Sequence, residues 1–471
     1  MVLFPSHDPG GGELNVISSS ANHSFIGGGC RNLISGSTKP NHCAGASIIL
    51  GGHCNTINRY NVTIAGGTKN TGSSSHGFIG SGVQNEIKGQ YSSIVGGQCN
   101  EINNNYIGRH FIGGGQENQI NSSQGCSFIG GGRGNKISAD CGIIVGGVNN
   151  CILFGSYSSI IVGGVLNCVG GNNSFIGGGS RNITSGGNSV IIHGGCNKAF
   201  GSRGFIGTGF RNSGSNSSTL LNGSYNNAFS DGFIGGGTRN RANYYSFVGG
   251  GRCNTGSTFG NIVGGECNCA LNHGFVGSGC FNEAIGFASS IVSGYDGRIT
   301  GVASGILGGC NNTITHGESF IVGTNITSTS TKTAFMNDTV VTGSLTVGCT
   351  TRLSTTVGRI EATNDIVAFS TSDERLKCNI QPINNALCKV IGVTGNTFDW
   401  KELSEEEKRT IHGNTGRDVG VIAQEIESIL PEAVTTRDSG YKAVKYEKII
   451  PLLIEAIKEQ QKQIDELKSK I

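Results

Sequence analysis

Short apolar pairs recur along the first two thirds of the chain, each followed by glycines, one asparagine and a second apolar site. The segment SFIGGGCRNLI at 24–34 returns as GFIGSGVQNEI at 77–87 and as SFIGGGRGNKI at 127–137. A unit of this length has room for two strands of about five residues and two tight turns, and it is too short to include a helix. The pattern therefore predicts a repeat array made of β-strands.

The asparagine of the unit sets the period of the array. It recurs every fifteen residues from Asn55 to Asn100 and every fourteen from Asn212 to Asn282, and about twenty copies fill residues 22–325. Glycine permits positive φ and close backbone approach, and asparagine forms stacked hydrogen-bonded ladders. We predict a mainly-β chain with a parallel β-solenoid or β-roll. Because a narrow coil buries little of its own surface, we expect one face to pack on neighbouring chains.

The repeats resemble the head of trimeric autotransporter adhesins. That resemblance covers about 300 residues and rests on a loose motif of glycine and asparagine. It implies a left-handed β-roll built by three chains.

Cysteines are placed at one site of the repeat, directly before the asparagine. They are Cys54, Cys99, Cys196, Cys253, Cys267 and Cys310. Stacked coils would bring Cys253 and Cys267 within reach of a disulfide. We favour the other interpretation, in which the site holds a small buried side chain.

Composition changes at Ser372. Of the 81 glycines, six lie after this residue. We predict four segments: an N-terminal attachment segment at 1–21, the repeat array at 22–325, a β connector at 326–371, and an α+β domain at 372–471. The connector shows period-2 alternation from Val340 to Val347, which is typical of short strands.

The last segment carries an ordered series of motifs. These are SDERLK at 372–377, NI at 379–380, FDWK at 398–401, VGVIAQE at 419–425, LPE at 430–432 and VKY at 444–446. The series resembles the C-terminal intramolecular chaperone of endosialidase-type phage tail spikes, which also occurs on other viral fibres and in a family of membrane-bound transcription factors. The resemblance implies a domain that trimerises, folds the fibre before it and then cuts itself off.

The resemblance also implies the residues that carry out the cleavage. The bond broken is the one before the motif serine, here Thr371–Ser372. Ser372 is the implied nucleophile and Lys377 the implied general base. A serine hydroxyl needs a nearby base, and lysine acts as one when burial or positive charge lowers its pKa. Arg375 is a candidate source of that charge.

Two other interpretations of this motif come from the residues alone. Thr371 to Glu374 also fits a capping box that begins a short helix. A serine and a lysine five residues apart are common on protein surfaces. If cleavage occurs, it is a single-turnover serine peptidase reaction on the chain itself, and we expect no turnover on external substrates.

Two helices are predicted in the C-terminal segment. One covers Asp418–Leu430 and ends at Pro431. The other carries apolar residues at alternating steps of three and four, a heptad seam that favours a parallel trimeric coiled coil. The seam residues are Ile450, Leu453, Ile457, Gln460, Ile464, Leu467 and Ile471.

Composition excludes several function classes. A formal charge of +3 with 14% charged residues gives no electrostatic case for nucleic acid. We find no apolar stretch long enough for a membrane span and no secretory signal. The 17 cysteines lack the pairing of a zinc site. We therefore expect no cofactor, no metal and no membrane insertion, and synthesis in a reducing host cytoplasm.

The sequence thus predicts a homotrimeric virion fibre or tail-spike-like protein for host attachment, at the virion surface. Its expected partners are virion structural proteins and a host surface glycan or receptor. One alternative is a fibre with glycan-hydrolase activity, which needs two nearby carboxylates. The array offers Asp140, Asp231 and Asp296 in different coils. Another alternative is a cell-surface adhesin.

Overall fold

The computed structural model describes residues 12–18, 20–21, 23–35, 46–104, 107–337, 345–347, 360–362, 372–402, 416–437 and 440–470. The chain divides into two compact units, Met1–Asp338 and Thr339–Ile471. Thr371, Val340, Ile471 and most of the predicted attachment segment and connector lie outside the described residues. None of the helices within the described residues has both the length and the apolar character that a membrane crossing requires.

The first unit is a parallel β-solenoid, in which each coil adds one strand to each of two sheets. Neighbouring coils pair in parallel and in register, as Phe233 with Phe247 and Ile234 with Val248. A third parallel contact lies in the turn between the sheets, where Thr238 pairs with Arg252. The predicted mainly-β solenoid is confirmed.

The first sheet contains the strand that opens each repeat. Its strands are Phe25–Ile26, Ile48–Ile49, Thr63–Ile64, Phe78–Ile79, Ser93–Ile94, Phe111–Ile112, Phe128–Ile129, Ile143–Ile144, Ile160–Ile161, Phe175–Ile176, Val190–Ile191, Phe205–Ile206, Thr219–Leu220, Phe233–Ile234, Phe247–Val248, Asn261–Ile262, Phe275–Val276, Ser290–Ile291, Gly305–Gly308, Phe320–Val322 and Ala334–Met336.

The second sheet contains the strand that follows each asparagine. Its strands are Val16–Ile17, Leu33–Ile34, Thr56–Ile57, Thr71–Gly72, Glu86–Ile87, Glu101–Ile102, Gln119–Ile120, Lys136–Ile137, Cys151–Ile152, Cys168–Val169, Ile183–Thr184, Lys198–Ala199, Ser213–Gly214, Asn227–Ala228, Arg241–Ala242, Thr255–Gly256, Cys269–Ala270, Glu283–Ala284, Arg298–Ile299 and Thr313–Ile314.

Most of these strands are two residues long, so the expected length of about five was wrong. The turn between the sheets forces the chain out of extended geometry at Gly237, where φ is +85°. A Cβ at Gly237 would lie 2.0 Å from the carbonyl oxygen of Gly251 in the next coil. Close backbone stacking therefore requires glycine at this turn. The turn shortens the strands on either side of it.

The core lies between the two sheets and is built from the second residue of each strand. Ile79 and Ile87 of one coil are both fully buried and belong to one continuous cluster along the array. In the coils of fourteen residues, the inward position of the second sheet holds alanine or glycine, as at Ala242 and Gly256. A shorter coil encloses less space, so a smaller side chain fills it.

Each coil also buries one asparagine. The backbone N–H of Asn70 donates to Asn55 Oδ1 of the preceding coil at 3.0 Å. Its Nδ2 donates to the carbonyl oxygens of Gly66 at 3.0 Å and of Gly82 in the next coil at 2.9 Å. The Asn70 side chain therefore satisfies buried backbone groups in its own coil and in the next coil, where its Oδ1 also accepts from the N–H of Asn85.

The asparagine ladder runs from Asn32 to Asn282 with the same bonds in each coil. It is interrupted at Gly297. The backbone N–H of Gly297 donates to Asn282 Oδ1, but glycine has no side-chain amide to continue the ladder. The ladder resumes at Asn312, which donates to the carbonyl oxygens of Gly308 and Gly323.

The cysteine site was only partly predicted. Cys253 and Cys267 precede ladder asparagines, have left-handed backbone and are partly exposed, so the expectation of a small buried side chain was wrong. The described cysteines are free thiols. Cys310 lies one position earlier than predicted, because the left-handed residue is Asn311 and the buried ladder residue is Asn312.

In the second unit, Leu345–Val347 pairs in parallel with Ile360–Ala362. A 3-10 turn at Glu374–Leu376 precedes helix α1, Ala386–Ile391, and the hairpin of Gly395–Asp399 with Arg417–Val421. Helix α2 then covers Ala423–Ile429. The chain continues through the 3-10 turn Pro431–Ala433, the hairpin of Val434–Thr436 with Lys442–Val444, the 3-10 turn Tyr446–Lys448 and helix α3, Ile449–Lys468.

The predicted helix Asp418–Leu430 was wrong in its first part. Asp418 to Val421 belong to a strand that pairs with Gly395–Phe398, and the helix begins at Ala423. Pairing with a strand more than twenty residues earlier overrides the local helical pattern.

Replacing one ladder asparagine should destabilise the array. Asn254→Ala removes the donor to the Gly250 and Gly265 carbonyl oxygens and the acceptor for the Asn268 N–H. Leaving these buried groups unpaired should lower the free energy of unfolding by about 2–4 kcal/mol. The denaturant midpoint of the array measures the loss, and an unchanged midpoint would contradict this role of the ladder.

Restoring the missing rung should stabilise the array. Gly297 does not have positive φ, and the nearest atom to a Cβ there is the flexible Asn282 Oδ1, at 2.9 Å. Gly297→Asn should add donors to the neighbouring carbonyl groups and an acceptor for Asn312, raising the free energy of unfolding by about 1 kcal/mol. Gly297→Ala is the matched control, since it adds a Cβ without an amide. An equal gain in both variants would refute the explanation.

Candidate functional site

The site begins at the 3-10 turn Glu374–Leu376. Asp373 is the N-cap, and its carboxylate accepts a hydrogen bond from the backbone N–H of Arg375 at 2.9 Å. The turn closes where the N–H of Lys377 donates to the carbonyl oxygen of Glu374 at 3.0 Å. The cap is therefore Asp373, and the alternative of a capping box begun by Thr371 was wrong.

This turn brings Ser372 and Lys377 together. Lys377 Nζ lies 2.7 Å from Ser372 Oγ and 3.1 Å from the carbonyl oxygen of Ser372. The two ends of a single short turn thus place an amine within hydrogen-bond reach of a hydroxyl. That distance is what a serine nucleophile and a lysine base require.

Arg375 contacts Asp373 and does not supply free positive charge to Lys377. Its guanidinium makes an ion pair with the Asp373 carboxylate at 2.7 Å. The guanidinium and the N–H of the same residue hold the pKa of Asp373 below its usual range. The expected role of Arg375 beside Lys377 stays a prediction. Ser372 and Lys377 are both exposed in the single chain.

Helix α1 is capped by Glu459, a residue whose role the sequence did not predict. Helix α1 begins after Asn385, which has left-handed backbone and gives no side-chain cap. Glu459 of helix α3 supplies the cap, accepting from the N–H groups of Ala386 at 2.9 Å and Leu387 at 2.8 Å. These two bonds lower the pKa of Glu459. The local sequence gave no signal for a cap that comes from 73 residues away.

Helices α1 and α3 also share a small apolar core. Ala386 is buried against Leu452 and Ala456, with Ile383 and Leu430 packed at its edge. These residues use a different stripe of α3 from the predicted heptad seam. The seam residues Ile450, Leu453, Ile457, Gln460, Ile464 and Leu467 are exposed in the single chain. The predicted coiled coil stays a prediction.

Motifs that are distant in the sequence meet around the first hairpin. Gly420 lies against the ring of Phe398 and the hydroxyl of Tyr446, where a Cβ would be only 2.7 Å from the oxygen. Trp400 Nε1 donates to Asp418 Oδ2 at 3.0 Å, which lowers the pKa of that carboxyl. The residues FDW, VGV and VKY therefore act together in building the fold.

These motifs match a known family. Residues 372–435 match the sequence model of the family described as the chaperone of endosialidase. This segment of the chain is a chaperone-of-endosialidase domain. The match begins at Ser372 itself, and it confirms the resemblance inferred from the motifs.

Curated relatives of the chain include phage fibre proteins. The long tail fibre protein Gp37 of Enterobacteria phage K3 is 40% identical over 105 residues, covering 21% of this chain and 8% of that protein. The protein of the same name from Enterobacteria phage T2 is 40% identical over 105 residues, covering 21% and 7%. That from Enterobacteria phage M1 is 37% identical over 110 residues, covering 22% and 41%. The match thus spans less than a tenth of the length of the first two relatives.

The cap between the helices makes the stability of the chaperone domain depend on pH. Because the folded pKa of Glu459 lies below its ordinary value of 4.5, its contribution is present above that value and is lost as pH falls through the folded pKa. Glu459→Gln should lower the melting temperature at pH 7 and flatten the acid side of the pH–stability curve. Thermal melts between pH 3 and pH 7 measure both effects.

Glu455→Gln is the matched control, since Glu455 pairs with Lys458 of its own helix. Equal losses in the two variants would show that the charge of α3, and not the cap on α1, sets the pH dependence.

Proposed function

We propose that this chain is a homotrimeric virion fibre of the tail-fibre or tail-spike type. In this proposal its chaperone domain assembles the rod and then cleaves the Thr371–Ser372 bond. The observation that carries the proposal is the 2.7 Å distance from Lys377 Nζ to Ser372 Oγ at the first residue of the domain match. Thr371 itself lies outside the described residues.

The proposed reaction is a one-time acyl shift followed by hydrolysis. Lys377, as a neutral amine, takes the proton of Ser372 while the Oγ attacks the carbonyl carbon of Thr371. The amide bond breaks, and the nitrogen of Ser372 leaves as a free amine after taking a proton. Water then hydrolyses the ester between Thr371 and the Ser372 oxygen. The products are a carboxylate at Thr371 and a chain that begins at Ser372.

The protonation of Lys377 links this reaction to assembly. An exposed ammonium donates hydrogen bonds and is not a base, and the lysine is exposed in the single chain. Burial is what lowers the pKa of a lysine, and contact with the other two chains would bury this one. In the proposal, trimerisation therefore switches the site on.

The exposed heptad seam of α3 supports the trimer. Isoleucine and leucine at alternating steps of three and four on a helix of 20 residues form the stripe that parallel helices bury between them. Joining three chains at one end raises the effective concentration of the rest and fixes their register. Parallel β assembly from distant segments is slow, so such a tether matters most for a solenoid.

The relatives named as long tail fibre proteins support a place on a virion. In the proposal, virion structural proteins hold the fibre, and a host surface glycan or receptor is its target. The glycan-hydrolase alternative has less support. The candidate Asp140 accepts hydrogen bonds from Ser122 and Gln124. The stacked pair Glu86 and Glu101 is bridged by Lys88, at 3.1 Å to each carboxylate.

Expression of the full chain tests the proposal. The wild type should yield two fragments, the second beginning at Ser372 by N-terminal sequencing. Ser372→Ala should leave the chain whole, and Lys377→Met should slow cleavage at least 100-fold, as expected for loss of a general base. Lys389→Met and Ser428→Ala are matched controls that should cut normally. A wild-type chain that trimerises and stays whole would refute the cleavage.

A further inference from the structure

The outward surfaces of the two sheets differ in character. On the second sheet, the outward residues include Glu101, Lys136 and Arg298. On the first sheet, two residues of each coil point outward. They are the first residue of the strand and the residue two positions after it, such as Phe233 and Gly235. We call this second surface the apolar face. It follows the first sheet along the array.

The two outward positions of the apolar face compensate each other in size. Where the first is phenylalanine, the other is glycine, in the pairs Phe25/Gly27, Phe78/Gly80, Phe111/Gly113, Phe128/Gly130, Phe175/Gly177, Phe205/Gly207, Phe233/Gly235, Phe247/Gly249 and Phe275/Gly277. Where the first is another residue, the other is aliphatic, in the pairs Ile48/Leu50, Thr63/Ala65, Ser93/Val95, Ile143/Val145, Ile160/Val162, Val190/Ile192, Thr219/Leu221, Asn261/Val263, Ser290/Val292 and Gly305/Leu307. Phe320, followed by Val322, departs from the rule.

The geometry explains this compensation. The ring of Phe128 lies over Gly130, with Cε1 3.4 Å from where a Cβ would be. The same arrangement recurs at Gly177 and Gly249 with 3.3 and 3.4 Å. The carbonyl oxygen of Val145 in the next coil lies closer still, 2.4 Å from the Cβ position of Gly130, so the ring and the neighbouring backbone together exclude a side chain at Gly130. With few exceptions, each coil therefore presents one bulky apolar group at the same place.

These groups are exposed or partly exposed in the single chain. Phe275 is 37% exposed and Leu50 is 55% exposed. The groups recur along about twenty coils in one continuous row, whereas the largest apolar patch on a typical monomer is about 300–600 Å². A stable interface buries about 800 Å² on each partner. A row of this length therefore offers an interface that runs along the whole array.

We propose that the apolar face is where copies of this chain pack on one another along the rod. The occupant must be apolar and must repeat with the rise of one coil, and a second copy meets both conditions. In a trimer, each copy would use the face against two others. This inference rests on the proposed trimer and adds the surface that forms it. The local alternative is that each ring only shields the backbone of its glycine.

A pair of charged substitutions tests the assignment in the full chain. Leu221→Glu with Val263→Glu places carboxylates on the apolar face, at residues 46% and 55% exposed. The matched control is Leu166→Glu with Val302→Glu, at residues 43% and 52% exposed in the turns. Chemistry and exposure are the same in both pairs, and the face differs. Light scattering gives the mass of the rod, and circular dichroism its strand content.

The face variant should lose the trimeric mass, with at least a tenfold rise in the dissociation constant, and keep its strand content. The control should remain trimeric. Leu50→Glu with Val95→Glu repeats the test at the other end of the array and should behave like the first pair. The masses are compared after cleavage has removed the chaperone domain, because its α3 seam could hold an uncleaved variant together. A cleaved face variant that stays trimeric, or a control that dissociates equally, would overturn the inference.

Cleavage at Ser372 is read in the same samples and separates the two proposals. Wild type that is monomeric and whole means that the proposed function fails. If the wild type and the face variant are equally trimeric, only the assigned surface is wrong. Each ring then only shields the backbone of its own glycine. Wild type that is trimeric but whole refutes the cleavage. The face variant is then judged by its binding of a hydrophobic dye, which should exceed that of the wild type and of the control if the apolar face is normally covered, and an equal signal would overturn the inference.

Discussion

The buried asparagine of each coil is the interaction on which the solenoid depends. A coil of fourteen or fifteen residues turns so tightly that its backbone groups at the corner face inward, away from water. The N–H of Asn70 donates to the Asn55 side chain of the coil before, and the Asn70 amide donates to one carbonyl oxygen in its own coil and one in the coil after. Apolar burial alone could not form this corner, because isoleucine would leave the same groups unpaired. The glycines then follow, since the stacked carbonyl oxygens leave no space for a Cβ at positions such as Gly82.

The same regularity makes the array poor at defining its own alignment with other chains. Most coils offer the same ladder bonds, a similar inward apolar residue on the first sheet and, by the compensation of phenylalanine with glycine, nearly the same outward bulk. A chain displaced by one coil would meet almost equivalent partners, so the energy difference between aligned and displaced assemblies is small at each coil. Alignment has to come from a segment that does not repeat. The chaperone domain is such a segment, with its heptad seam and its helix cap at Glu459.

The sequence predicts what depends on the period and misses what depends on distant contacts. Parallel coils follow directly from a recurring asparagine, whereas the strand length does not, because it is set by stacking between coils. Cys310 was misplaced since two asparagines follow it and only the buried one marks the ladder. The strand at Asp418 and the cap from Glu459 each depend on partners far along the chain. The nearness of Ser372 and Lys377 was expected from the family motif, and the partner of Arg375 was not.

Exposure of the Ser372 and Lys377 pair gives the proposed reaction its timing. A site that was competent in the single chain would cut before the rod was aligned, and the chains would lose the segment that aligns them. In the single chain the lysine is exposed to water, and a serine hydroxyl without an activated base is a weak nucleophile. Arg375 is held in an ion pair by Asp373. The missing desolvation then has to come from other chains. In the proposed reaction, cleavage is a consequence of assembly, and a rod that has lost its chaperone domain would have no route back except full unfolding.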